Sequence, residues 1–164
     1  MRDERAYAAV VAAFAAFLYL AIVVAAFGLI SLATNTEVIA DPDVGTLVGP
    51  VMTGAATLTV FAFLLSLGLR VPADNQRVMP GVALGVGLAA YFVYAAAGGI
   101  AGAAGDPSQP FHYFLFTFAQ LGSWYAITVG IAAFLVTLLY QLVLVGRFRQ
   151  RGRPRWPWES DDDE

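Results

Sequence analysis

Polar and apolar positions separate along this chain into long blocks rather than alternating within them. Charged residues fall only at 2–5, 37–43, 70–77, 106 and 147–164, and the stretches between carry none. Ala6 to Ala33 runs 28 residues without a charge, long enough at a rise of 1.5 Å per residue to cross about 30 Å of hydrocarbon with some tilt. Ser31-Leu32-Ala33 has the small-x-small look of a signal cleavage site. The apolar run before it is far longer than a signal peptide's usual core of about 7–15 residues, so it reads as an uncleaved first helix. The same blocks predict a second helix over about 50–69, opened by Pro50, where a missing N–H costs nothing. A third covers about 80–104, opened by Pro80 and fading through the glycine-rich segment from Gly98 to Gly105. A fourth covers about 114–146, with Phe111, Tyr113, Phe114, Phe116 and Phe118 marking its start as rings do at a membrane–water interface. The pattern therefore predicts an all-α integral membrane four-helix bundle over residues 1–146, followed by a disordered tail over 147–164.

Composition agrees with a bilayer as solvent. Of 164 residues, 59% are hydrophobic and 13% charged, against about 45–50% and about 25% in soluble domains. A chain this short cannot bury that surplus in a globular core. Cysteine is absent, which closes disulfide, thiol-redox and Cys-ligated metal readings.

Charge orients the spans. All nine cationic residues are arginine: Arg2 and Arg5, Arg70 and Arg77, and five between Arg147 and Arg155. In a four-span arrangement these lie on one side, and the two opposite loops have none, so the positive-inside rule places both termini in the cytoplasm. Asp41-Pro42-Asp43 in the first loop reads as a solvated turn rather than a calcium site, since its carboxylates lack EF-hand spacing.

Lipid is as apolar as leucine, so helices inside a bilayer are held by close packing and polar contacts. Small residues recur at fourfold spacing: Ala8, Ala12 and Ala16; Gly81, Gly85 and Ala89; Gly122, Ala126 and Gly130. We read these ridges first as packing within one bundle, with a seam between copies as the alternative. Thr53, Thr57, Tyr91, Tyr94 and Thr128 are the polar groups that could line a path through the spans. The plainer reading is hydrogen bonding between helices, worth about 0.6 kcal/mol each in membranes.

Absences narrow the function further. No Asp, Glu, Lys, Arg or His falls in the middle of a span, whereas ion-coupled transport usually relies on such groups. The single histidine, His112, stands beside Asp106 in sequence, too few ligands for a metal. No nucleophile, zinc or phosphate-loop motif occurs, so neither enzyme activity nor a cofactor is expected. In the tail, Arg147, Arg149, Arg151, Arg153 and Arg155 precede Trp156, Trp158 and an acidic end. Cations placed there attract anionic lipid by about 1 kcal/mol each. Arg151-Gly152-Arg153-Pro154 matches the core of a minor-groove DNA-binding peptide, but four residues beside an acidic run are a chance match, and no nucleic-acid partner is expected.

In length, topology and composition the chain resembles the uncharacterised small four-span membrane proteins of high-GC Gram-positive bacteria, the actinobacteria. The resemblance covers the whole chain, rests on no diagnostic motif and implies no activity. The expected role is a non-enzymatic accessory or scaffold subunit of the bacterial plasma membrane, contacting a membrane protein partner or further copies of itself. A small oligomeric channel or uniporter for a neutral or weakly polar solute is the alternative. The topology is directly testable in a chain without cysteine. On intact cells an impermeant thiol reagent should label Asp41→Cys or Ser108→Cys and spare Asn75→Cys and Ser160→Cys; labelling at Asn75→Cys would overturn the arrangement.

Overall fold

The computed structural model describes residues 2–39, 45–70 and 77–150, with side chains from 5 to 147 within those ranges. Five helices occupy them: α1 (Arg2–Thr34), α2 (Val48–Arg70), α3 (Pro80–Gly105), α4 (Pro110–Leu121) and α5 (Trp124–Gln150). No strand occurs among the described residues. Four of the helices hold segments long and apolar enough to cross a membrane, namely Arg5–Thr34, Val48–Arg70, Pro80–Gly105 and Trp124–Arg147. Large apolar side chains also point outward from them, including Phe14, Phe17, Leu58, Phe92 and Leu139. Water would penalise such a surface, and lipid would not. The chain has the make-up of a multi-pass membrane protein.

The spanning helices pack in the order α1, α2, α3, α5 and back to α1, with α4 lying on α3. One end of this array carries Arg5, Arg70, Arg77 and Arg147; the other carries the end of α1, the start of α2 and α4, and has no arginine. At the arginine-bearing end, the Tyr140 hydroxyl donates to the Ala8 carbonyl at 3.3 Å. The Gln141 Oε1 accepts the Met79 N–H at 2.6 Å. That bond meets a backbone donor that α3 leaves unpaired at its first turn, so α5 caps the start of α3. At the other end α1 stops where Asn35 takes a left-handed φ of 53°, a conformation asparagine tolerates better than most residues. The Tyr125 hydroxyl then ties the chain to α5 by donating to the Thr36 carbonyl at 2.9 Å.

Missing side chains bring α3 close to its neighbours. A Cβ placed on Gly87 would stand 2.8 Å from the Gly130 carbonyl oxygen of α5, and one on Gly98 would stand 2.8 Å from the Met52 sulfur of α2. Cβ atoms on Gly99 and Gly102 would overlap the Thr117 hydroxyl and the Tyr113 ring of α4. The glycine-rich stretch through which the third helix was expected to fade, to about residue 104, is helical to Gly105 and forms the seat of α4.

The fourth span differs most from its expected course. Instead of one helix from 114 to 146, the chain forms α4, breaks, and resumes as α5. Pro110 opens α4 at its first turn. The break at Gly122-Ser123 is capped on both sides. The Tyr91 hydroxyl donates to the Leu121 carbonyl at 2.5 Å, and the Ser123 Oγ accepts the Ala126 N–H at 3.1 Å, the usual geometry of a serine N-cap. A hydrophobicity scan sees one apolar run here because both helices are apolar.

Two glycines in α3 should respond oppositely to one added methyl group. Gly87→Ala meets the α5 backbone and should lower stability by about 1–3 kcal/mol. Gly85→Ala meets open space and should be neutral or stabilising by about 0.5–1 kcal/mol. Thermal unfolding in detergent reads both, and equal effects would contradict this packing.

Candidate functional site

The expected packing residues divide by face. Ala8, Ala12 and Ala16 are buried, as is Ala126. Gly130 packs its backbone on Gly87, with the Tyr91 Cβ beside it. Gly81 and Gly85 point away from every neighbour, and Ala89 is half-buried. The face of α3 that meets the other helices runs through Ala83, Val86, Gly87, Ala90 and Tyr94, two positions out of phase with that ridge. Gly122 lies outside any span, as the C-cap of α4.

The five polar positions do not gather along a common path. Thr53, Thr57 and Thr128 return their hydroxyls to the carbonyls of Gly49, Thr53 and Trp124 one turn back, at 3.1, 2.8 and 2.8 Å. Threonines satisfy themselves this way inside helices, so their hydroxyl hydrogens go to their own helix rather than to a neighbouring one. Tyr91 is engaged with Leu121. Tyr94 is fully buried, and its hydroxyl has no hydrogen-bond partner; the same holds for Tyr19 on α1. Phe27 joins Tyr94 to Tyr125, with ring centroids 5.9 Å and 5.2 Å apart and edge-to-face geometry. Of the arginines, Arg147 lies over the Tyr7 ring, its guanidinium carbon 4.1 Å from the centroid, a cation–π arrangement. The Arg149 side chain and Arg151, Arg153 and Arg155 lie outside the described residues.

Among the described residues, a cleft with several polar groups in its wall lies at the arginine-free end. Glu37 and Val38 from the chain leaving α1 form one wall, and His112, Leu115, Phe116, Ala119 and Gln120 of α4 form another. Ser123 and Tyr125 close it at the start of α5, and its volume is about 430 Å³. Gln120 is 7% exposed and its Oε1 has no hydrogen-bond partner. On the far side of α4, Phe111, Phe114 and Phe118 are exposed; Phe111 stacks on Phe114 with centroids 6.4 Å apart, and Phe114 meets Phe118 edge-to-face at 4.9 Å. Nearby, Asp106 accepts from the Ser108 hydroxyl at 2.6 Å and the Ser108 N–H at 3.0 Å. These bonds hold its carboxyl below the usual carboxylate range. The turn is therefore firmest above that range and loosens as pH falls through the lowered value.

The sequence drew attention to His112 alone, and its convergence with Glu37 and Gln120 was missed. The available signals were a glutamine in an apolar helix and the Gly-Ser pair two positions later. Among the described residues, no three His, Asp or Glu side chains gather as a metal site would require.

Comparison with curated proteins and with solved structures gave no match. A family model does match, over residues 1–164, and the chain belongs to that family, the family of unknown function DUF6121.

Proposed function

We propose that this protein is a non-enzymatic component of the bacterial plasma membrane, with both termini cytoplasmic, acting through contacts between membrane helices as an accessory or scaffold subunit. One observation carries this reading, the filled interior. Ala12, Met52, Ala56, Val60, Leu64, Ala90 and Ala133 are wholly inaccessible, and the threonine hydroxyls nearby are spent on their own helices. Interaction then falls to the outward faces, where Gly81 and Gly85 leave α3 smooth and a shallow apolar groove of about 300 Å³ runs between α3 and α5. Small residues on such faces allow close approach of another helix. The arginines at the cytoplasmic end would hold the array against anionic headgroups.

The channel alternative draws on the unpaired Tyr19 and Tyr94 hydroxyls alone. Purification from the native host in mild detergent, with mass determination and proteomics on the same peak, separates the two. The accessory role calls for a second protein in stoichiometric amount. A pure homo-oligomer that conducts a solute in proteoliposomes, with flux lost in Tyr94→Phe, would overturn it. On the accessory reading, Tyr19→Phe and Tyr94→Phe each remove an unmet buried hydroxyl. Stability should stay level or rise by up to about 1–3 kcal/mol.

A further inference from the structure

We propose that the cleft bounded by α4, the start of α5 and the chain leaving α1 binds an alkylammonium group, carried by a free amine or by a lipid headgroup. Its volume of about 430 Å³ lies in the usual range for small-molecule sites, about 300–1,000 Å³. Glu37 supplies a carboxylate at the rim, and no arginine or lysine occurs between Arg5 and Arg70 or between Arg77 and Arg147 to neutralise it. Gln120 adds a buried carboxamide oxygen without a partner, which an N–H of the ligand would satisfy.

The two hydroxyls that line the cleft are partly committed: the Ser123 Oγ accepts the Ala126 N–H and keeps its own hydrogen, while the Tyr125 hydroxyl also stands 3.4 Å from the Thr36 hydroxyl. Tyr125 donates its hydrogen to the Thr36 carbonyl, so toward the cleft it offers a lone pair and a ring. Phe116 contributes a second ring. A carboxylate with aromatic faces is the combination that recognises ammonium groups, through charge and through the ring quadrupole. An anion would meet the Glu37 carboxylate and the unpaired Gln120 oxygen, with His112 the one wall residue able to carry a positive charge against them. Val38, Leu115 and Ala119 supply apolar wall for the alkyl part of the ligand.

Depth in the membrane fits a headgroup as well as a free amine. The exposed rings of Phe111, Phe114 and Phe118 lie on the same helix as the cleft, and such rings favour the interfacial layer. The site does not depend on the helix-contact role proposed above, since it lies on the other side of α4 from those rings and away from the α3–α5 groove.

The test uses the full chain in nanodiscs. Ethanolamine and ethylamine are titrated by calorimetry in discs of phosphatidylglycerol, and native mass spectrometry measures retention of phosphatidylethanolamine against phosphatidylglycerol. Saturable one-to-one binding of a soluble amine identifies a free-amine site; selective retention of phosphatidylethanolamine without it identifies a headgroup site. In either case Glu37→Gln and Gln120→Leu should each weaken binding about tenfold or more. Gln120→Leu should melt no lower than the parent, because it removes an unmet polar group. The proposal is overturned if neither probe class binds, if both substitutions leave binding unchanged, or if inorganic phosphate binds in place of the amines.

Discussion

Close backbone approach along α3 is the constraint on which the remaining structure depends. Inside a bilayer the hydrophobic effect does not press helices together, so contact must come from dispersion between surfaces that fit. Helix α3 meets that need by omitting side chains where a neighbour arrives, at Gly87 for α5, Gly98 for α2, and Gly99 and Gly102 for α4. The lost helix propensity of each glycine is offset only where a partner fills the space. At Gly81 and Gly85 none of the described residues does so.

The seat on Gly99 and Gly102 also explains the arginine-free end. Because α4 lies on α3, the chain must turn before it can pack against α1, and it does so at Gly122-Ser123. Tyr91 meets the last carbonyl of α4, and Ser123 meets an early N–H of α5. Breaking an apolar helix leaves backbone groups without helical partners, and such breaks persist where protein groups meet them. Gln120, one residue before the last of α4, is thereby turned toward Glu37 and Tyr125. The same break that shapes the last span creates the cleft.

Four helices able to cross a membrane were legible because each needs only a long uncharged run, which a single sequence displays. The faces were not. Fourfold spacing shows which residues share a helical edge, but an edge facing lipid and an edge facing protein are equally apolar, so the Ala8-Ala12-Ala16 ridge and the Gly81-Gly85 ridge look alike on paper. One is buried and the other is open. The α4–α5 break had local signals in Pro110 and Gly122-Ser123, masked by the hydrophobicity on both sides. Thr53, Thr57 and Thr128 were visible as polar groups, while their choice of their own backbone over a neighbouring helix depends on rotamers that spacing does not encode.

The most direct test of this account asks whether α4 sits on the glycine face of α3. A Cβ at position 99 would lie 3.3 Å from that of Thr117, near the separation of about 3.5–4.5 Å that a disulfide spans. In a chain without native cysteine, the pair Gly99→Cys and Thr117→Cys in native membranes should close under mild oxidation and resist alkylation, whereas Gly99→Cys with Phe118→Cys should stay open. Free, independently alkylated thiols in both pairs, in variants that melt like the parent, would contradict the seating of α4 and, with it, the shape of the cleft and the packing order built around α3.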